Sequence, residues 1–297
     1  MRGPGEVASI AKRRLGWLIR DRFPFRPVVR EVQGVTLVLP WSHRLPDYAL
    51  WGPSYGQNLV ELARLVAESS PPLTVLDIGA NVGDSAVQIL NAADGKVLCI
   101  EADPAYLEFL HRNVDSDARV SVVEALLSVD DAQAARTAVR TGGTTRFAEG
   151  GDADAMPMVS PAGLRAQHPD FDKLRLVKSD TDGYDVELVP AVAEAWADTR
   201  PILFFEYDPY LTRIAGHDPV GVWARLEALG YRDVAVWDNG ATPVGRTTTA
   251  EAGARGAVLD APANQRRRGR TYWDVAVVHA DDAAGRAAIE QLVPDLI

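Results

Sequence analysis

The sequence predicts an α/β fold: a mostly parallel, seven-stranded sheet with helices on both faces. Three observations carry this. From residue 58 onward, short apolar runs alternate with stretches of helical period, as strands joined by crossover helices require. Those runs are nearly continuous rather than alternating, which marks strands buried on both sides. Glycines and carboxylates follow the runs directly, at the strand ends where parallel sheets bind ligands.

The elements read in order as follows. Residues 6–22 form a basic amphipathic helix, with Ile10, Leu15, Leu18 and Ile19 on one side, stopped by the prolines of FPFRP. Residues 28–39 give two short strands around Gln33-Gly34, a hairpin signature. A helix follows at NLVELARLVAESS, ended by Pro71-Pro72, then the strand LTVLDIG. A second helix starts at Asp84, a second strand covers 96–101, and Pro104 opens a third helix. RVSVVEAL is the third strand. The polar stretch 128–170 reads as a short hairpin plus loops. Strands follow at 173–180 and 200–207, separated by a helix at 184–197. Asp218-Pro219 starts another helix that buries Val222, Leu226 and Leu229. Residues 231–237 and 273–279 read as a closing antiparallel pair. The segment 239–271 between them has no periodicity and reads as an inserted flap over the acceptor side of the site. The chain thus divides into an N-terminal extension, 1–57, and a main domain, 58–297.

Composition narrows the function. One cysteine, Cys99, lies in an apolar run and excludes a disulfide scaffold or a thiolate metal cluster. No run approaches the roughly 20 apolar residues of a membrane span, and no signal-peptide core is present. A soluble, cytoplasmic protein is expected. The net charge of −10 argues against a sequence-independent nucleic-acid binder. Residues 1–30 nevertheless carry eight Lys/Arg against two acids, so the remaining chain stands at −16. The basic helix is expected to pack on the domain, shape a dimer or substrate entrance, or lie on anionic lipid.

Four motifs carry chemistry. In VLDIGANVGDS, Gly79 and Gly83 let the backbone turn tightly before a helix, with Ala80 and Asn81 between them. A dinucleotide enzyme would show G-x-G-x-x-G here. Instead Asp77 precedes the glycines, repelling a pyrophosphate and attracting a cation. That is the electrostatic demand of S-adenosylmethionine (SAM). In CIEADP, Glu101 ends the next strand, followed by Ala102, where a carboxylate can accept from ribose hydroxyls. As a strand-end side chain it is expected to carry little packing.

In LVKSDTDGYDVELV, Asp180, Asp182 and Asp185 crowd one strand end. The glycine and twelfth positions do not fit a calcium loop. Two readings stay open: carboxylates that orient or deprotonate an acceptor, or a structural turn built on Gly183. In PILFFEYDP, Glu206 and Asp208 end the neighbouring strand, and converging carboxylates there could hold Mg²⁺. Of five histidines, His43, His111, His168, His217 and His279, only His217 follows a strand on a loop suited to base catalysis.

In this order, VLDIGANVGDSA, IEADP, SVVEAL, LVKSDTDGYDVELV and RPILFFEYDP resemble the FkbM family of SAM-dependent methyltransferases over roughly residues 58–210. The resemblance implies the class I, Rossmann-like methyltransferase fold. It also implies O-methylation of a small molecule, often a natural product or sugar. It places cofactor contacts at Asp77, Gly79, Asn81, Gly83, Glu101 and Ala125, with Ala80 and Ala102 beside them. The sequence departs from the family where Asp182 and Asp185 replace glutamates, and MPMVSPAGL lacks the family's Leu-Asp pair. These departures leave the base open among Asp180, Asp182, Glu206 and His217. The expected partner is a small-molecule methyl acceptor, not nucleic acid, and the chain could form a homodimer. The rivals are an NAD(P)-dependent oxidoreductase, disfavoured by the glycine spacing and the lack of a Tyr-x-x-x-Lys pair, and a non-catalytic SAM-binding protein.

Overall fold

The computed structural model describes residues 16, 19–20, 22–52, 54–129, 136–141, 144–149, 156–259 and 272–295. Most of the expected basic helix, and residues 260–271 of the expected flap, lie outside them.

The chain opens with a hairpin of β1 (Pro27–Val32) and β2 (Val35–Pro40), turning at Gln33 and Gly34, both at positive φ. Helix α1 (Leu45–Trp51) follows, with Pro46 in its first turn. Helix α2 (Gln57–Ser69) leads into β3 (Leu73–Ile78), which is buried along its whole length. Then come α3 (Asp84–Ala92), β4 (Gly95–Glu101), α4 (Pro104–Val114) and β5 (Val120–Glu124). A short strand β6 (Leu126–Leu127), a hairpin of β7 (Arg136–Thr141) and β8 (Thr144–Glu149), and β9 (Met158–Val159) occupy the polar stretch. Helix α5 (Pro161–Gln167) closes it, started by the Ser160 hydroxyl accepting from the Gly163 amide. After β10 (Leu176–Ser179) come α6 (Asp185–Ala195), β11 (Ile202–Tyr207), α7 (Pro209–Ile214) and α8 (Gly221–Ala228). Strands β12 (Tyr231–Asp238) and β13 (Pro243–Thr248), helix α9 (Thr249–Leu259), β14 (Trp273–His279) and α10 (Ala283–Leu292) complete the chain.

The central sheet runs β13-β12-β14-β11-β10-β3-β4-β5. The pairs joining β5, β4, β3, β10 and β11 are parallel; β14 enters antiparallel between β11 and β12. The sheet has eight strands rather than the seven expected. The eighth, β13, comes from the segment read as an aperiodic insertion, which also forms α9. The flap reading is therefore corrected for residues 243–259, which extend the sheet edge and pack on it.

Side-chain alternation divides the sheet between two cores. Leu76, Ile78, Leu98, Ile100, Leu203 and Phe205 meet α5, α6 and α8 on one face. Val75, Val97, Cys99, Leu176 and Phe204 meet α2, α3, α4 and α10 on the other. Cys99 is a buried free thiol, as its apolar run suggests. A third cluster seats Val32, Leu37 and Leu39 of the hairpin against Val82, Tyr106 and Phe109. This is a Rossmann-like α/β architecture, a mostly parallel sheet with helices on both faces. Among the described residues no helix is long and apolar enough to cross a membrane.

Candidate active site

The order of strand addition reverses between the parallel neighbours β3 and β10, and this switch point opens a cleft at the carboxyl ends of the strands. The cleft encloses a cavity of about 240 Å³ and opens to solvent at its mouth.

Its first wall is the loop between β3 and α3. Gly79 stands at φ +72°, and a Cβ there would collide with the carbonyl of Asp180, so only glycine lets the two loops meet. Asn81, at φ +52°, takes a left-handed conformation that glycine would hold more easily. Its amide donates to Glu101 Oε2 at 2.8 Å. Glu101 Oε1 accepts from the Ala102 and Asp103 amides at 2.9 and 2.7 Å. Burial pushes the Glu101 carboxyl above its ordinary pKa, and the three amides oppose that shift. Three of its four lone-pair directions are filled, leaving one for a ligand. Asp103 turns away and caps α4 through the Ala105 amide.

The second wall comes from β10 and β11. Asp180 is exposed in the cleft, and Glu206 is half-buried beside it. Burial and the carboxylates of Asp180, Asp182, Asp185 and Asp208 push Glu206 well above the usual carboxylate range. Across the β11–β14 ladder, Glu206 pairs in register with Asp274. Asp274 accepts from the Asn58 amide at 2.9 Å, and burial raises it to about 7. Tyr55, Tyr272 and Phe204 supply aromatic surface. The Tyr272 hydroxyl accepts from the Asn239 side chain at 3.0 Å.

Of the sequence-predicted cofactor residues, Gly79, Ala80, Asn81, Glu101, Ala102 and Ala125 line this cleft. Two do not. Asp77 is fully buried beneath the floor, 3.0 Å from the Lys178 ammonium, so it does not offer a bare charge to a cation. Gly83 faces α4, where a Cβ would lie 2.7 Å from Leu110 Cδ1. Among the predicted catalytic residues, Asp180, Asp182 and Glu206 line the cleft and His217 does not. Asp208 caps α7 through the amides of Tyr210 and Leu211. The chain beyond this short helix carries the His217 ring against Tyr184, with Nδ1 3.8 Å from Glu187.

Asp185 belongs to the turn rather than to the cleft wall. Its Oδ1 accepts from the Ser179 hydroxyl at 2.6 Å and its Oδ2 from the amides of Thr181 and Gly183. Burial raises it to about 6. Among the described residues, no three His, Cys, Asp or Glu side chains are placed to hold a metal ion. The carboxylates expected to converge on Mg²⁺ instead diverge into a cap (Asp208), a turn brace (Asp185) and the cleft wall.

Sequence reasoning missed His43, Tyr55, Asn58, Asp84, Lys178, Tyr272 and Asp274. Lys178 is one of four lysines and sits inside a quoted motif, which was a usable signal. The others come from the N-terminal segment, α2, the start of α3 and the β14 end, and only the folded topology brings them together.

No family model matches the chain. Over 85 residues it is 33% identical to a probable ribosomal RNA small subunit methyltransferase A of Methanosarcina mazei. That stretch is 27% of this chain and 31% of the relative, so the chain spans about a third of the curated protein it matches. Among solved structures it is similar to the N-methyltransferase NodS of Bradyrhizobium japonicum, at 11% identity and TM-score 0.41, covering 76% of this chain and 96% of that one. It is also similar to M. jannaschii TYW2 in complex with AdoMet, at 14% identity and TM-score 0.42, covering 85% and 84%.

Proposed function

We propose that this protein is a SAM-dependent methyltransferase that methylates an oxygen of a polar small molecule, in the manner of the FkbM family. One observation carries the reading. The glycine loop after β3, the amide-cradled Glu101 and the carboxylates Asp180 and Glu206 share one continuous cleft at the sheet's ligand-binding edge.

The residues fit the group. Glu101 keeps one lone-pair direction for a ribose hydroxyl, and Ile100, Ala125, Leu126 and Leu127 offer an apolar bed beside it. Asp84 and Asp180 supply negative charge where Asp77 does not, with Asp84 raised to about 6 chiefly by burial. Bound there, SAM supplies a methyl group on a sulfonium centre. The chain's own part is alignment and proton transfer. Glu206 is the base we favour: burial and its acidic neighbours give its carboxylate high proton affinity, suited to taking the proton of an acceptor hydroxyl. Asp180 and Asp274 flank it and orient hydroxyl or amine groups of the acceptor. A phosphate-rich acceptor meets repulsion on this wall.

An RNA acceptor is the second reading, carried by the 85-residue likeness to a ribosomal RNA methyltransferase. Incubation with methyl-labelled SAM and, separately, the metabolite and RNA fractions of the source organism tests both. Label in metabolites supports the first reading and label in RNA the second. Calorimetry showing tight NAD binding and no SAM binding rejects both.

A further inference from the structure

The N-terminal segment is attached to the donor loop at two points. Asn113 on α4 accepts the Val38 amide at 2.7 Å and donates to the carbonyls of Val38 at 3.0 Å and Val82 at 2.8 Å, stitching β2 to the loop. Five residues along, His43 Nε2 lies 3.1 Å from Asn81 Oδ1. The tautomer follows from the other nitrogen: Nδ1 accepts the Leu45 amide at 3.2 Å, so Nε2 carries the hydrogen and donates to Asn81. The ring is held edge-on to Tyr106, with centroids 6.1 Å apart. Burial lowers the His43 pKa to about 4; the Asn81 bond opposes this and the Arg44 charge adds to it. The ring is therefore neutral at physiological pH.

Asn81 needs holding. It sits at φ +52°, which an L-residue adopts at a cost, and its amide is one of the three that orient Glu101. We propose that His43 is a positioning residue for the donor site: by holding the Asn81 side chain it fixes the turn whose amide sets the Glu101 carboxylate. Segment 27–51 is then part of the donor-binding machinery, a claim that rests on the methyltransferase reading above.

The test uses the full chain, S-adenosylhomocysteine as the calorimetric probe, and ligand-free amide hydrogen exchange at Asn81. His43→Phe keeps an aromatic ring and removes the donor; His43→Gln places an amide donor near the position of Nε2. The expected result for His43→Phe is about 3- to 10-fold weaker binding, the span of one hydrogen bond, with faster exchange at Asn81. His43→Gln should stay within about 2-fold of wild type in both readouts. Asn81→Gly supplies a second measurement, because glycine adopts this φ without help. In that background His43→Phe should add no further loss of affinity, whereas independent effects would add. Wild-type affinity and exchange in His43→Phe would overturn the inference alone. So would equal loss in His43→Gln, or additive loss with Asn81→Gly. Absence of binding by the wild-type protein would reject the methyltransferase reading, and the donor-site role of His43 with it.

Discussion

Asp77 and Lys178 occupy facing positions on the parallel strands β3 and β10, and their charges meet at 3.0 Å below the cleft floor. The ammonium also donates to the Gly79 carbonyl at 2.9 Å, so one lysine fixes both the strand end and the first residue of the glycine loop. Burial opposes the ammonium charge, but Asp77 and Asp180 outweigh it and raise the Lys178 pKa above its ordinary value. Lys178→Met should therefore strand a buried carboxylate and lower unfolding free energy by about 3–5 kcal/mol. The double variant Asp77→Asn/Lys178→Met should recover most of that loss. Urea denaturation of the three proteins measures it; a loss under about 0.5 kcal/mol in Lys178→Met would show the pair to be inert.

Glu101 gives a second prediction. The residue is only 7% exposed and satisfies three backbone amides, so it is structural as well as cleft-lining. The sequence-based expectation that it carries little packing is corrected. Glu101→Ala should cost at least ~2 kcal/mol of stability through unpaired buried donors and should also weaken S-adenosylhomocysteine binding. Unchanged thermal unfolding in this variant would contradict the amide cradle.

Seven of the eight strands of the central sheet were legible because apolar runs such as LTVLDIG name themselves, whereas the polar edge strand β13 was not; the glycine loop and Glu101 were singled out by their spacing. Helices α1, α5, α7, α9 and α10 were not legible. Helices α1 and α7 are a turn or two long and are started by Pro46 and by the Asp208 cap, signals too local for periodicity to register. Helix α9 was missed because its small residues, Ala250, Ala252, Gly253 and Ala254, make little hydrophobic pattern. Asp77 was misread for a different reason. A sequence shows a charge but not its cross-strand partner, and Lys178 lies 101 residues away. His217 fell outside the cleft because the capped turn at Asp208 redirects the chain.

The sterics of the Asp180–Asp185 turn can be separated from its backbone conformation. Gly183, at φ +105°, is packed so that a Cβ would run into the main chain of Leu211 and Thr212. Gly216, at φ +88°, has open space around it. Gly216→Ala should cost only the left-handed backbone penalty, about 1–2 kcal/mol. Gly183→Ala should cost that plus about 1–3 kcal/mol of overpacking. Equal costs in denaturant unfolding would mean the turn and α7 are not in the contact described.

The cleft carboxylates predict a pH dependence whose sign can be worked out. Asp274 rises from 3.8 to about 7, chiefly by burial, with Asp180 and Asp238 adding to the shift and the Asn58 bond opposing it. Between those values the folded protein holds a proton that the unfolded chain has released, so this group lowers stability as pH rises through the window. His43 acts in the opposite sense. Its pKa falls from 6.5 to about 4, so its contribution is lost as pH falls through that range. Asp274→Asn removes only the first effect. At pH 8 the variant should be more stable than wild type by at least ~1 kcal/mol, and near pH 4 the two should coincide. On the proposed function, methyl transfer should fall at the same time, because Asp274 pairs across the ladder with Glu206, the base we propose. Greater stability with lost turnover is the pattern of a residue kept for function at a cost to the fold. Thermal unfolding across pH 4–8, with turnover at pH 8, decides the point. Parallel stability curves for variant and wild type would show that Asp274 is ionised throughout and does not carry the buried proton.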